Sequence, residues 1–536
     1  MAQQAYPELV AQRSHRPGSE DARTFEDTLR ELLRSSPYLV VSVVVHALLL
    51  ALFSGGRAPP PPPEPPVIKA EAEKPVEIIP PEPELRPPEP EQLIEKFTDD
   101  PVVSEVPYTG ELAGESDSDV ISHALMDSVR GDNETRGSTD IIGVGGGGLA
   151  GGSGKFGRRG GGGGPGAGTP FNKAVDDALD WLKNHQNADG FWSCAGFASQ
   201  CGKQGNDTRC DGPGSEQFDT GVTALALLAF LGHGDTHKSG TYRTTVRNGL
   251  KYLVDVQQAD GNFGDEAVFQ YTYDHIIATL AMVEAYALTR DNLFRKPAAK
   301  GLEYMYTIRN KDGAWRYSKH SPEMITRPND MSVTGWAIMV MTSAKDCGLP
   351  LDKLALEDAF LFLEDMTDPV TGVTGYFDRG TQPPRLPGLE ATWPNELTES
   401  MTAVGVLCRI FGDPELKRPG NVDLVNRGID ILTRLPPLWA NDAPGRRDFY
   451  YWYYGTYALY QCNTPALPKG KQAWKSWEDT LLPNIAEHQH RDGERKGSWD
   501  PQHDPWGGEG GRVYSTAILC LTMEVYYRYA TVVGAH

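Results

Sequence analysis

The chain has 536 residues, and its 58 glycines and 41 prolines are concentrated before residue 170, where a packed core is not expected. The formal net charge of −21 argues against nucleic acid as a partner, because phosphate binding requires a basic face. Seven widely spaced cysteines are too few for a disulfide-rich scaffold. The stretch after residue 170 is long enough to bury one large core.

The first element in chain order is a single apolar segment, residues 37–56, which follows a polar stretch at residues 1–36. Its apolar centre contains two polar side chains, Ser42 and His46. Its length is close to the roughly 20 residues that a membrane-spanning helix needs. Five arginines precede it and only Arg57 closely follows it, so the positive-inside rule predicts a cytoplasmic N-terminus and a periplasmic remainder. We therefore expect a single-pass protein of the cell inner membrane.

Residues 57–170 are predicted to form a disordered linker between the membrane and the folded domain. Residues 58–98 are rich in Pro and Glu and form a stiff spacer of at most about 130 Å, at about 3.1 Å per residue. Residues 143–168 are a flexible glycine-rich tether, and the acidic residues 100–142 lie between the two.

The anchor and its Pro/Glu-rich spacer resemble the N-terminus of TonB-type energy transducers. Those carry a Ser and a His four residues apart in the membrane helix, and Ser42 and His46 have this spacing, which places them on one helix face. An ionisable group inside a membrane span is a candidate for function. The resemblance implies coupling of this pair to ExbB/ExbD-like proton-channel proteins. The alternative is a tolerated His in an ordinary anchor.

Internal repeats dominate the rest of the chain. Three segments align without gaps: ALDWLKNHQNADGFW at 178–192, GLKYLVDVQQADGNF at 249–263 and GLEYMYTIRNKDGAW at 301–315. Two degenerate copies follow at 362–377 and 484–499. Each copy predicts the end of an amphipathic helix, an Asp-Gly turn in which Gly takes a positive φ, and an aromatic residue that folds back onto the turn.

Apolar helices containing small residues are predicted between these copies. They span Asp219–Leu231, Asp274–Thr289, Asp330–Ala344, Glu399–Phe411, Tyr453–Gln461 and Tyr514–Tyr527. Six apolar helices that alternate with six amphipathic ones are typical of an all-α (α/α)6 barrel, in which the apolar helices form the inner ring. We therefore predict that residues 171–530 form a closed α/α toroid, with Trp192, Phe263, Trp315 and Trp499 at the turns of the outer helices.

The repeats resemble the QW motif of squalene–hopene cyclases, within the terpenoid-cyclase and protein-prenyltransferase superfamily, over residues 171–530. The resemblance implies a terpenoid-cyclase-like toroid, in which the QW motif is a structural clamp and performs no chemistry. It also implies that the N-terminal ends of the inner helices face a common mouth. Polar residues at those ends are the site candidates, although each acid there also fits an N-cap or a first-turn position.

The candidate site residues fall into two groups. The candidate catalytic residues are Asp330, His275 and Asp219. The candidate ligand-binding residues are Asp274, Trp336, Tyr273, Glu399 and Tyr514. We expect them to act together as one site, with His275 and Asp330 near one rim and Trp336 deeper in the same cavity.

The catalytic motifs of the related enzymes are incomplete. The Asp-rich acid motif of the cyclases is matched only by EQFDT, Glu216–Thr220, in which Phe218 replaces the middle acid. The zinc ligands of protein prenyltransferases are not matched, because Ser332 stands where the thiolate would be after Asp330, so we expect no metal and no cofactor. The preferred function is a tethered periplasmic toroid that binds an apolar, glycan or peptide ligand. The alternative is a terpenoid cyclase with a diverged catalytic acid.

The cysteines are expected to have two different roles. Two of Cys194, Cys201 and Cys210 are predicted to close a loop disulfide in an oxidising compartment. Cys408 and Cys520 lie on apolar helix faces and are predicted to be core residues.

Overall fold

The computed structural model describes residues 170–202, 209–310, 312–318, 329–381, 397–440 and 447–528. Within these residues the chain forms twelve α-helices and two short 3₁₀ helices, Phe197–Gln200 and Glu216–Phe218. The odd-numbered, outer helices are α1 Pro170–His185, α3 Arg243–Val256, α5 Asn292–Thr307, α7 Lys353–Met366, α9 Asn421–Thr433 and α11 Pro468–Ala486. The even-numbered, inner helices are α2 Asp219–His233, α4 Tyr271–Thr289, α6 Met331–Cys347, α8 Glu399–Gly412, α10 Phe449–Gln461 and α12 Gly507–Arg528.

The inner helices form a closed ring. Each one packs against the inner helix before it and the one after it in chain order, and α12 packs against α2. Each outer helix from α3 to α11 packs against the inner helix that precedes it, whereas α1 packs mainly against α12. The seam of the ring therefore lies where α1 and α2 meet α11 and α12. The predicted all-α (α/α)6 toroid is confirmed.

The two rings differ in polarity as the sequence predicts. All of Gly221–Gly232 in α2 and Met331–Ala344 in α6 is buried, because an inner helix is covered by neighbours on every side. Outer helices such as α3 bury only one stripe of residues. The inner helices α4 and α10 begin three and four residues earlier than predicted, with aromatic residues in their added first turns. Helix α12 begins seven residues earlier, in a glycine-rich segment. Helix α12 is kinked at Gly511.

The repeat copies end the outer helices by a shared set of hydrogen bonds. The indole N–H of Trp192 donates to the carbonyl of Leu182 at 2.6 Å, and that of Trp315 donates to Met305 at 2.8 Å. These bonds satisfy carbonyls in the last turn of α1 and α5, which have no partner within the helix. All four predicted aromatic residues are buried at these turns. The Gly190 and Gly261 backbones have φ of 94° and 101°, as the Asp-Gly turn requires.

The predicted membrane anchor, with Ser42 and His46, and the predicted linker of residues 57–170 lie outside the described residues, apart from Pro170, which begins α1. In the part of the chain that the structure describes, no helix is both long enough and apolar enough to cross a membrane.

The cysteines follow the prediction only in part. Cys408 and Cys520 are fully buried on inner helices, as predicted. All seven cysteines are free thiols in the structure, so the expected loop disulfide is absent. Cys194 lies apart, with its backbone N–H donating to Asp219, and the side chains of Cys201 and Cys210 both contact the same histidine ring.

Candidate functional site

A small cavity lies inside the inner ring, near the N-terminal ends of its helices. Eight side chains line it, five aromatic and three aliphatic: Leu225, Tyr273, Ile277, Trp336, Tyr450, Trp506, Tyr514 and Ile518. They come from α2, α4, α6, α10 and α12 and from the loop before α12. The space open to the centre of a water molecule is about 20 Å³, which is room for roughly one water. Aromatic side chains therefore form most of the wall of this cavity.

Asp330 is buried beside this cavity and is the N-cap of α6. Its Oδ1 accepts hydrogen bonds from the Val333 N–H at 2.9 Å and from the Ser332 hydroxyl at 2.7 Å. Tyr273, which lines the cavity, donates its phenolic O–H to Ser332 Oγ at 2.5 Å. Oδ1 of Asp330 thus caps α6 and also accepts from the hydroxyl chain that Tyr273 and Ser332 form. The two predicted roles of Asp330, as a helix cap and as a site residue, are therefore compatible.

The other oxygen of Asp330 faces Arg316. Asp330 Oδ2 and Arg316 Nη1 are 3.7 Å apart, and both atoms are buried without a hydrogen-bond partner among the described residues. Burial raises the pKa of Asp330, and the nearby Arg316 and the bonds to Ser332 oppose that rise. The Arg316 guanidinium also lies 5.1 Å from the ring centre of Tyr317, whose hydroxyl is hydrogen-bonded to that of Tyr376. One buried polar cluster thus contains the Arg316 guanidinium, the Asp330 carboxyl group and the hydroxyls of Tyr317 and Tyr376.

Two other predicted acids lie away from the cavity, between α2 and its neighbours. Asp274 Oδ1 accepts the Gly221 N–H at 3.0 Å, and Asp219 Oδ1 accepts the Cys194 N–H at 2.7 Å. Burial raises the pKa of both carboxyl groups, that of Asp274 to about 8. These two acids influence each other's ionisation, but neither lines the cavity.

His275 does not join Asp330 in one site. Its ring Nε2 donates to the carbonyl of Gly301 at 3.0 Å, and its Nδ1 accepts the Phe263 N–H at 3.3 Å. Both partners belong to repeat copies on the outer-ring side of α4. Burial lowers the pKa of His275 to about 3, so the imidazole is neutral. Its two hydrogen bonds fix one tautomer. Its contacts are those of a histidine that holds the inner and outer rings together.

The remaining predicted residues divide between the cavity and the core. Trp336 lines the cavity and stacks on Tyr453, with 6.1 Å between ring centres. It lies six residues further along the chain than Asp330, the N-cap of α6, and is therefore deeper in the ring, as predicted. Tyr514 also lines the cavity. Glu399 is buried in the first turn of α8 and does not line it.

Three residues at or near the cavity are not predicted from the sequence: Arg316, Tyr376 and Trp506. Arg316 directly follows Trp315 of the third repeat, and Tyr376 lies in the fourth, degenerate copy. The position next to the turn aromatic of a repeat copy, Trp315 or Phe377, could thus have indicated both residues. Trp506 precedes the last inner helix and had no repeat context.

Comparisons with known proteins agree with this architecture. Residues 167–273 match the family model of the squalene–hopene cyclase C-terminal domain. Ent-copalyl diphosphate synthase 1 of Oryza sativa subsp. japonica is 30% identical over 111 residues, which are 21% of this chain and 12% of that protein. The chain thus spans only a small part of this relative. The resemblance predicted from the repeats is confirmed for residues 167–273, which are similar to the C-terminal domain of squalene–hopene cyclases.

Two solved structures are similar to this chain at low sequence identity. An inactive variant of the alpha-1,6-mannanase GH76A of Salegentibacter sp. HEL1_6 is 11% identical, with a TM-score of 0.44, over 67% of this chain and 100% of that variant. The type II terpene cyclase MstE from Scytonema is 12% identical, with a TM-score of 0.41, over 67% of this chain and 99% of the cyclase.

Proposed function

We propose that this protein is a membrane-tethered binding protein whose toroid takes up an apolar group of its ligand. The observation that carries the proposal is the lining of the cavity, in which five aromatic and three aliphatic side chains from five inner helices and the loop before α12 surround one space. Such a lining favours an apolar group over a sugar, because its few polar groups are tyrosine hydroxyls and tryptophan indole N–H groups.

The small volume limits which part of a ligand can enter. A space with room for roughly one water accepts the end of an alkyl chain or a short apolar side chain, whereas a whole isoprenoid requires several aromatic side chains to move. A lipid tail or an apolar peptide side chain is therefore the ligand class that fits best. The polar cluster of Asp330 and Arg316 lies behind Tyr273, at one wall of the cavity.

The proposal places the toroid in the periplasm, held at the inner membrane by residues 37–56. In this arrangement Ser42 and His46 face ExbB/ExbD-like partners within the membrane. A membrane-impermeant thiol reagent applied to oriented inner-membrane vesicles tests the topology on Ser14→Cys and Thr169→Cys variants. We expect labelling from opposite sides, and labelling from the same side contradicts a single span.

The binding function is tested on the purified full chain in detergent. Organic extracts are compared by mass spectrometry for the parent, Ile277→Phe and Ile277→Val. The Phe variant fills the cavity and should lose a co-purifying apolar compound severalfold, whereas the Val variant, with its wider cavity, should keep it. Equal amounts in both variants at equal melting temperature, or no compound in the parent, would contradict the proposal.

One observation favours a second candidate, a terpenoid cyclase with a diverged acid. Protonation of an alkene needs a well-supported acid, and Asp330 is a buried carboxyl group beside Tyr273 of the aromatic wall. The rice relative, which carries the name of a diphosphate synthase of this class, matches only 21% of this chain. Incubation with squalene, followed by gas chromatography, tests this candidate. A cyclic product that disappears in Asp330→Asn supports it, and its absence from the parent reaction excludes squalene as the substrate.

A further inference from the structure

Three metal-ligating side chains meet at the seam of the ring. They are His185, the last residue of α1, and Cys201 and Cys210, which lie in the connection between α1 and α2. Their ligand atoms all lie within 4.8 Å of one another. His185 and Cys210 are buried, and Cys201 is partly buried. Among the residues that the structure describes, no other group of His, Cys and carboxylate side chains has this geometry.

The distances within this cluster match those of a tetrahedral zinc site. His185 Nε2 is 3.4 Å from Cys201 Sγ and 3.5 Å from Cys210 Sγ. Zinc binds sulfur at about 2.3 Å and imidazole nitrogen at about 2.0–2.1 Å, so a tetrahedral ion holds N and S about 3.5 Å apart. The side chains therefore need little movement to bind an ion.

The tautomer of His185 is also set for metal binding. Its Nδ1 lies 2.8 Å from the carbonyl oxygen of Trp181, and because a carbonyl only accepts, Nδ1 carries the proton. The lone pair of Nε2 therefore points at the two thiols. A backbone carbonyl that fixes the second ring nitrogen is the usual outer partner of a metal-bound histidine. The ring further stacks on Trp181, with 4.0 Å between ring centres.

We propose that His185, Cys201 and Cys210 bind a zinc ion, with a fourth position open to water or another donor. Two thiolates and one imidazole are a ligand set that zinc prefers over magnesium or calcium. This site is independent of the proposed function of the cavity.

The surroundings indicate a structural role at the seam. Without a metal, the Cys210 thiol donates to the carbonyl of Glu494 at 3.3 Å, a bond that is lost when the thiol becomes a zinc-bound thiolate. Trp181 Nε1 donates to the same carbonyl at 3.0 Å and keeps the last repeat copy beside the cluster. Glu494 belongs to the last repeat copy, whereas the cysteines follow the first. The ion would thus join α1 to the connection that follows it, next to the last repeat copy, which is distant in sequence and adjacent in the closed ring.

Metal content of the purified full chain tests the site. The chain is isolated without chelator, zinc is measured by mass spectrometry, and the apo chain is titrated with Co²⁺ alone. We expect about one zinc per chain and a thiolate-to-cobalt absorption band, both reduced at least about tenfold in Cys201→Ser. Cys201 is partly buried, so the Ser variant should keep its helical content. Cys347→Ser, at a buried thiol on α6, is the matched control and should bind as the parent does.

Two results would overturn the proposal. One is equal zinc and cobalt binding by the parent and Cys201→Ser. The other is a parent chain without metal whose mass under non-reducing conditions shows a Cys201–Cys210 disulfide. If Cys201→Ser loses helical content, His185→Gln provides the second test, because it keeps both thiols and removes only the nitrogen ligand. Retention of cobalt binding by a folded His185→Gln would also count against the site.

Discussion

At the scale of single residues, Asp274 is an acid that burial holds in its neutral form. It is 2% exposed, and its Oδ1 lies so close to α2 that a Cβ on Gly221 would be 2.3 Å from it. Burial is the main cause of its raised pKa of about 8, and repulsion from Asp219 adds to the rise, whereas the Gly221 N–H opposes it. A neutral carboxyl at this position holds α2 and α4 together without a buried charge.

The raised pKa of Asp274 predicts a defined pH dependence. The folded chain keeps a proton that the unfolded chain releases above its ordinary pKa of 3.8. The contribution to stability is therefore complete below pH 3.8 and falls as the pH rises to about 8. Asp274→Asn keeps the acceptor and removes the ionisation, so its melting temperature should exceed that of the parent by a few degrees at pH 8.

The measurement compares melting temperatures at pH 5 and pH 8. The gain from Asp274→Asn should be larger at pH 8 than at pH 5. Asp255→Asn, at an exposed aspartate of α3, controls for the general effect of one lost negative charge. An identical gain at both pH values, or a gain equal to that of the control, would show that Asp274 is ionised in the folded chain.

At the scale of elements, glutamine side chains join neighbouring outer helices. Gln257 Nε2 donates to the Gly261 carbonyl of its own turn at 3.1 Å and to the Pro297 carbonyl of α5 at 2.9 Å. Gln186 makes the equivalent pair with Gly190 and with Thr245 of α3. In the third copy Arg309 replaces the glutamine and pairs with Asp358 of α7, at 2.9 Å. Each copy thus fixes the next outer helix.

Loss of one such clamp should destabilise the fold measurably. Gln257→Ala removes two hydrogen bonds and leaves two partly buried carbonyls, which predicts a loss of about 1–3 kcal/mol in the free energy of unfolding. Lys251→Ala, at an exposed pair on the same helix, should cost less than about 0.5 kcal/mol. Chemical denaturation of both variants provides the comparison. A Gln257→Ala variant as stable as the Lys251→Ala control would contradict the clamp role.

At the scale of the whole molecule, closure of the ring depends on contacts between distant parts of the chain. Arg512 of α12 is fully buried and donates to the Asp211 carbonyl at 2.8 Å and to Ser498 Oγ at 3.1 Å. It also pairs with the carboxylates of Asp211 and Asp500. Asp211 precedes the first inner helix and Asp500 precedes the last, so one guanidinium spans the seam.

Removal of this guanidinium should weaken the closed ring. Arg512→Met keeps the volume and loses the bonds across the seam, for an expected loss of about 2–3 kcal/mol, because bonds to charged groups are among the stronger ones. Arg495→Met is the matched control, since Arg495 pairs with the same Asp211 at the surface, at 3.3 Å. It should change stability by less than about 1 kcal/mol. Equal losses in both variants would show that the seam does not depend on Arg512.

The sequence by itself determined the alternation of helices, the positive-φ glycines and the buried aromatic residues of the clamps. These features depend on local periodicity and turn chemistry, which repeat along the chain and can be read without knowledge of distant contacts. Three residues that the sequence predicts as site residues line the cavity, namely Tyr273, Trp336 and Tyr514, and Asp330 is joined to Tyr273 through Ser332.

Only the tertiary structure decided which of these side chains share a site. Asp274 and His275 are neighbours in sequence, yet successive helix residues are rotated by about 100°, so one contacts α2 and the other contacts α5. Arg316 reaches Asp330 through a loop, and His185 meets Cys201 and Cys210 at the seam. Such encounters depend on ring closure, because the residues that meet there belong to different repeats or to the irregular connections between helices.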